Sequence, residues 1–215
     1  MSDIESIHSD KSTGDFKTYK VGEKKSINEY AKIDAEDESL TKWKKSLGLP
    51  VDDADLLPVE FAGDKRTVIV TKFELFDAKT DQKINDIIFP KYKSSTDLNV
   101  FLKDNYSSSG NKQIQIKEKT LFKIKITFRV QNELITGLKY KQVIKKAGIA
   151  LDKVNNTIGS YAPNSLTKPE YTMTLPEIEA PSGLLGRGNY GIVSTFTDDD
   201  KNEHLILNWS VNICK

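Results

Sequence analysis

Apolar and polar residues follow two different rhythms along the chain. From about Arg66 onward the period is two. Phe122, Ile124, Ile126, Phe128 and Val130 share one face of an extended segment, with Lys123, Lys125, Thr127 and Arg129 on the other. Leu205, Leu207, Trp209, Val211 and Ile213 repeat the pattern opposite Asn208, Ser210 and Asn212. Ile69, Thr71, Phe73 and Leu75 alternate with Val68, Val70, Lys72 and Glu74. Further strands are expected around Ile87–Phe89, Ile114–Ile116, Leu134–Ile144, Tyr171–Leu175 and Tyr190–Phe196. Turn-formers separate them at Ser107-Ser108-Ser109-Gly110, Asn155-Asn156, Pro181-Ser182-Gly183 and Asp198-Asp199-Asp200. About eight short, half-buried strands predict an all-β fold, an antiparallel β-sandwich of immunoglobulin-like type.

Ahead of this lies a helical rhythm. Ser26 and Glu29 have the spacing of a capping box, and Ile27, Tyr30 and Ala31 share a helical face. A second helix is expected from Asp34. Glu36, Asp37 and Glu38 crowd its first turn and Lys42, Lys44 and Lys45 its later turns, which suits the helix dipole. Leu40, Trp43 and Leu47 make its apolar stripe, and Gly48 with Pro50 ends it. Isolated helices shorter than ~12 residues are marginal in water, so both are expected to form weakly until they meet a surface. Residues 1–25 carry too few apolar side chains to offset their ordering entropy and are expected to be a disordered tail. The division is therefore a tail over 1–25, a flexible helical arm over 26–58 and a sandwich over 59–215.

Composition narrows the function. Charged residues make up 29% of 215 and balance to +1, which points to neither nucleic acid nor a membrane surface. No apolar run approaches the roughly 18 residues of a transmembrane helix, and the acidic start is unlike a secretory signal. One cysteine, Cys214, excludes an internal disulfide and fits a reducing compartment. As the second residue from the end it does not form a C-a-a-X prenylation site. A soluble, cytoplasmic protein is expected.

Candidate chemistry is sparse. His8 and His204 have no companions at metal-ligand spacing, so no metal site is expected, and Cys214 has no base nearby in sequence. Gly186-Arg187-Gly188-Asn189-Tyr190-Gly191 matches G-x-G-x-x-G. A dinucleotide site needs a strand before that motif and a helix after it, whereas here a turn precedes and a strand follows. It reads as a loop entering a strand. The Asp198-Asp199-Asp200 run lacks EF-hand spacing and reads as a hairpin tip. An enzyme is not expected. Two sheets with apolar inner faces normally close on each other, so the pattern leaves open whether the interior is solid core or holds a ligand.

Five stretches, however, resemble the Rho GDP-dissociation inhibitor family in order and spacing. They are DAEDESLTKWKKSLG (34–48), FRVQNELITGLKY (128–140), GSYAP (159–163), EAPSGLLGRGNY (179–190) and FTDDDKNEHL (196–205). The resemblance runs from about Tyr19 to Lys215 and is nearest to fungal members. It implies a non-enzymatic regulator that binds prenylated Rho-family GTPases, mainly GDP-bound, as a monomer forming a 1:1 heterodimer. No cofactor is implied beyond the partner's geranylgeranyl group, which would lie between the sheets against Phe73, Leu75, Ile114, Phe122, Ile124, Leu138, Leu185, Ile192 and Trp209. Asp37 would accept a hydrogen bond from a switch I threonine, assisted by Ser39. Leu40, Trp43 and Tyr19 would pack on the switch surface, and Asp200 would meet a switch II arginine. Glu177 and Glu179 would receive the partner's basic tail.

The sequence departs from the family pattern in places. Ile178 stands where an acid is expected, and Ile114 and Leu207 stand where other members carry aromatics. Lys93–Asn111 is longer and Ser-rich and is expected to be a surface loop. An alternative reading is a general prenyl-binding chaperone for many lipidated clients, which would need the pocket but not the arm.

Overall fold

The computed structural model describes residues 36–39, 42 and 56–215. The first expected helix, Tyr19, Leu40, Trp43 and His8 lie outside the described residues. Among the described residues ten strands form two five-stranded sheets. β1 (Val68–Asp77), β2 (Lys83–Ile88), β4 (Leu121–Val130), β7 (Tyr171–Thr174) and the two-residue β8 (Ile178–Glu179) make the first. β3 (Ile114–Lys117), β5 (Ile135–Lys146), β6 (Ile149–Tyr161), β9 (Gly188–Thr197) and β10 (Glu203–Cys214) make the second. Their orders are β2-β1-β4-β7, with β8 also on β4, and β3-β10-β9-β5-β6. Pairings among the described strands are antiparallel, except that β3 runs parallel to β10. That exception corrects the expectation of a wholly antiparallel arrangement.

The alternation in β4 and β10 does what its period dictates. Ile124, Ile126 and Phe128 of one sheet and Leu205, Leu207 and Trp209 of the other join a single buried core. Phe73 of β1 meets Trp209 of β10 edge-on at 5.9 Å, a direct contact between sheets. In β1 the strict alternation fails. A register shift between Val70 and Lys72 lets Val68, Ile69 and Val70 all be buried.

Two expectations are corrected. Asn155-Asn156 is not a turn but lies inside β6. The hairpin before it turns at Ala147 and Gly148, whose φ values of 47° and 82° suit a two-residue connection between Lys146 and Ile149. β6 is an edge strand with mostly exposed side chains, so it has no apolar alternation to betray it.

Lys93–Asn111 is not a loop but contains helix α1 (Ser95–Tyr106). Ser94 and Asp97 form a reciprocal capping box, and Leu98, Leu102 and Tyr106 repeat every fourth residue to make the buried stripe. The helix covers the margin of β10 that the short β3 leaves open. Asn99 takes the place of a neighbouring strand there, donating to the Ile206 carbonyl at 3.0 Å and accepting the Asn208 amide at 2.8 Å.

In the arm, Glu36 lies in a turn and Asp37 precedes the helical Glu38, Ser39 and Lys42. Asp37 Oδ1 accepts the Ser39 amide at 2.8 Å and its hydroxyl at 2.6 Å. Asp37 therefore caps the helical residues that follow it, while the expected start at Asp34 lies outside the described residues.

Candidate functional site

At one end the sheets do not close. The long strands β5, β9 and β10 continue past a thinning first sheet, where β7 stops at Thr174 and only β8 follows. The space between them encloses about 240 Å³. Phe122 and Ile124 of β4 and Ile178 of β8 form one wall. Gln142, Ile144, Tyr190, Ile192, Val211 and Ile213 of the long strands form the other. Leu151, Asp152, Glu179 and Pro181 complete the lining. The walls are largely hydrocarbon, so an apolar ligand would gain burial there without leaving many polar groups unmatched.

The mouth carries apolar side chains that a closed sandwich would hide. Ile149 and Leu151 on β6 are 68% and 57% exposed, and Leu184 and Leu185 on the 181–187 loop are 87% and 92% exposed. That loop is firmly clipped despite its exposed tip. Arg187 grips Glu118 through two bonds, Nη2 to Oε1 at 2.7 Å and Nε to Oε2 at 3.1 Å. The Gly183 amide adds a third at 2.8 Å. The Arg187 hydrogen bonds, with the Gly183 amide, hold the Glu118 carboxyl down at about 2. From the other side Lys146 Nζ bonds the Leu185 and Arg187 carbonyls, and the Tyr190 hydroxyl donates to the Gly186 carbonyl at 2.7 Å.

The inner end of the cavity is polar. The Tyr140 hydroxyl donates to Gln142 Oε1 at 2.6 Å and lies 2.8 Å from Ser194 Oγ. Trp209 Nε1 donates to the same Ser194 oxygen at 3.0 Å. Burial raises the Tyr140 pKa well above its ordinary value, so the hydroxyl stays protonated. Among the described residues no group of histidine, cysteine and carboxylate side chains could hold a metal ion. Nor is any helix among them long and apolar enough to cross a membrane.

The model of the family described as RHO protein GDP dissociation inhibitor matches residues 4–215. The chain belongs to that family. It is 52% identical to the Rho GDP-dissociation inhibitor of Saccharomyces cerevisiae over 197 residues, covering 92% of this chain and 90% of the relative. The Schizosaccharomyces pombe protein of the same name is 38% identical, over 91% of this chain and 85% of its own. Rho GDP-dissociation inhibitor 1 of Rattus norvegicus is 35% identical, over 92% and 85%.

The positions that the Rho GDP-dissociation inhibitor resemblance implies for a lipid pocket fall into three groups. Phe122, Ile124 and Ile192 stand on the cavity. Phe73, Leu75, Ile114, Leu138 and Trp209 are buried in the core and do not line it. Leu185 projects into solvent near the mouth. Glu179 lines the cavity from the first sheet, while Glu177 is exposed beside it. Between them Ile178 turns its side chain onto the cavity, so the residue that breaks the expected acidic pair adds hydrocarbon to the wall. Asp200 lies exposed on the turn between β9 and β10. Its neighbour Asp198 is buried and accepts from Asn202 and lies 2.9 Å from His204 Nε2. Asp37 and Ser39 are exposed at the start of the arm helix.

Sequence reasoning missed Gln142, Ile144, Tyr190, Val211 and Ile213 as lining residues, although all five lie in strands it expected. It missed Leu151 and Asp152 because β6 was not read as a strand.

Proposed function

We propose that this chain acts as a Rho GDP-dissociation inhibitor by two linked grips on a prenylated Rho-family GTPase. The observation that carries the reading is the hydrocarbon-walled cavity between the sheets, in a chain of this family. In the first grip the partner's geranylgeranyl group enters that cavity. Burial is worth ~0.8 kcal/mol per CH₂, so a twenty-carbon tail leaving a bilayer forfeits on the order of 10 kcal/mol that the carrier must return as apolar contact. Phe122, Ile124 and Ile192 begin the lining, and Phe73, Leu75, Ile114, Leu138, Leu185 and Trp209 join it as the tail goes deeper or the rim folds over. Glu177 and Glu179 face the partner's basic tail, and Asp152 supports them from the opposite sheet.

In the second grip the arm over 26–58 clamps the switch loops through Asp37, Ser39, Leu40, Trp43 and Tyr19, while Asp200 reaches switch II from the sandwich at 59–215. Fixed switch loops hold the nucleotide and its Mg²⁺, so GDP leaves slowly. Joining both grips on one chain raises affinity through effective concentration. The product is a 1:1 cytoplasmic complex carrying the GTPase away from the membrane. The chain is a binding regulator and performs no catalysis, and its sandwich is of the immunoglobulin-like kind.

The test is GDP release from a prenylated Rho protein with and without this chain, repeated with an unprenylated one. Slower release, stronger for the prenylated form, is expected; an unchanged rate for the prenylated form would overturn the reading. Removing residues 1–50 is expected to abolish the slowing while sparing the binding of a prenylated peptide. Full slowing by the truncated chain would remove the arm from the mechanism.

A further inference from the structure

We propose that the hydrogen-bonded group of Tyr140, Gln142, Ser194 and Trp209 is the inner gate of the cavity and determines which isoprenoid lengths the protein accepts. The proposal rests on the isoprenoid reading above. On four strands the lining ends one inward-facing residue short of a shared boundary, which runs diagonally because Gln142 pairs with Ser194 and Ile192 with Trp209. Ile124 lines the cavity and Ile126 does not; Gln142 lines it and Tyr140 does not; Ile192 lines it and Ser194 does not; Val211 lines it and Trp209 does not. At that boundary Ser194 Oγ is the hub, 2.8 Å from the Tyr140 hydroxyl and accepting Trp209 Nε1 at 3.0 Å. The second Tyr140 bond fastens Gln142 to the wall at 2.6 Å. The four side chains are 0%, 2%, 0% and 3% exposed, so none has water as an alternative partner.

Size turns this wall into a selector. A 150 Å³ protein cavity accommodates benzene, which scales to ~250 Å³ for ten carbons and ~500 Å³ for twenty. The cavity holds about 240 Å³. A ten-carbon geranyl chain matches the space in front of the gate, and a twenty-carbon chain needs about as much again. Behind the gate the interior is apolar, with Phe73 against Trp209 at 5.9 Å and against Phe89 at 5.2 Å. The longer chain enters by parting Trp209 from Ser194 and taking up the face of Phe73. The hydrogen bonds lost in that movement are a cost borne by long chains alone. Breaking the hub in advance removes the cost.

The experiment uses the full chain carrying Trp43→Phe, which leaves Trp209 as its single tryptophan. The probes are N-acetyl-S-geranyl-, S-farnesyl- and S-geranylgeranyl-cysteine methyl esters below their micelle concentrations, followed by calorimetry and by Trp209 emission. The geranyl probe is expected to bind without altering the emission, and the geranylgeranyl probe to shift it. Ser194→Ala is expected to tighten geranylgeranyl binding about tenfold and leave geranyl binding unchanged. Tyr140→Phe keeps the ring and the Trp209–Ser194 bond, so a gain of about threefold is expected, again for the long probe alone. It also decides the matter should Ser194→Ala fail to fold. Equal effects on all three probes, or none in either variant, would overturn the gate while leaving the isoprenoid site standing. Failure of every probe to bind the Trp43→Phe chain would overturn both.

Discussion

The two ends of strand β4 have the same alternating pattern and opposite fates. At the Phe128 end the interior is solid. Phe128 packs edge-on to Tyr161 at 5.1 Å and beside Tyr171 at 5.7 Å, and the two tyrosine rings lie 4.6 Å apart. Several polar groups there find partners inside the fold, although Arg129 Nε and Gln131 Nε2 are buried without one. Asn164 accepts the Val130 amide at 2.6 Å and donates to the Lys168 carbonyl at 2.7 Å, and the Tyr171 hydroxyl donates to the Ala162 carbonyl. At the Phe122 end β1 stays paired with β4 but β7 has given way to the two-residue β8, and the same kind of residues face a void. Alternation selects which side chains point inward. Whether they meet partners is decided by strand length and by the large aromatics supplied at the ends of β6 and β7.

The contrast can be broken most directly with paired truncations. Phe128→Ala is expected to cost ~3–5 kcal/mol, because its ring is enclosed on all sides. Phe122→Ala is expected to cost ~1–3 kcal/mol, because part of its ring borders space that is already empty. Chemical denaturation measures both, and equal losses would mean the two ends are packed alike. Next in size, Asn164→Ala is expected to cost ~1–3 kcal/mol by stranding the Val130 amide at the solid end. A loss below 0.5 kcal/mol would show that solidity there does not depend on internal satisfaction.

The smallest effect belongs to the open end and to pH. Glu118, tied to the loop at the mouth, has a folded value of about 2, below the ~4.3 of a free glutamate. Its bonds therefore stabilise the fold above about pH 4, and the contribution fades as pH falls toward about 2. Asp64, held at about 2 chiefly by its hydrogen bond from Arg66, follows the same course far from the mouth. Glu118→Gln is expected to lower the thermal midpoint slightly at pH 6 and to match the parent near pH 2. A constant difference across that range would detach the loop from this ion pair.

Much of the fold was legible because burial on one face writes itself into alternation. Phe122 to Val130 and Leu205 to Ile213 announce their strands unaided. β6 was not legible, since an edge strand with Lys153, Asn155 and Thr157 exposed has no reason to alternate hydrophobicity. Helix α1 was legible in retrospect, from the Ser94 and Asp97 cap and the Leu98, Leu102 and Tyr106 spacing, yet its serines read as loop. The cavity was not legible at all. Phe122 and Phe128 look identical in a pattern, and the gap between them is a property of β7 and β8, segments remote in sequence. The family resemblance supplied Phe122, Ile124 and Ile192 for the site, while periodicity alone left core and pocket undivided.

β10 sits between β3 and β9, although it follows every other strand in chain order. During synthesis, β3 and β9 must wait with bare backbone edges until that segment leaves the ribosome. The β9-β5-β6 part of the second sheet can pair earlier, but the sheet is completed, and β3 joined to it, only after translation of β10. Its nascent form is the stage at which mispairing with other chains, or help from chaperones, matters most.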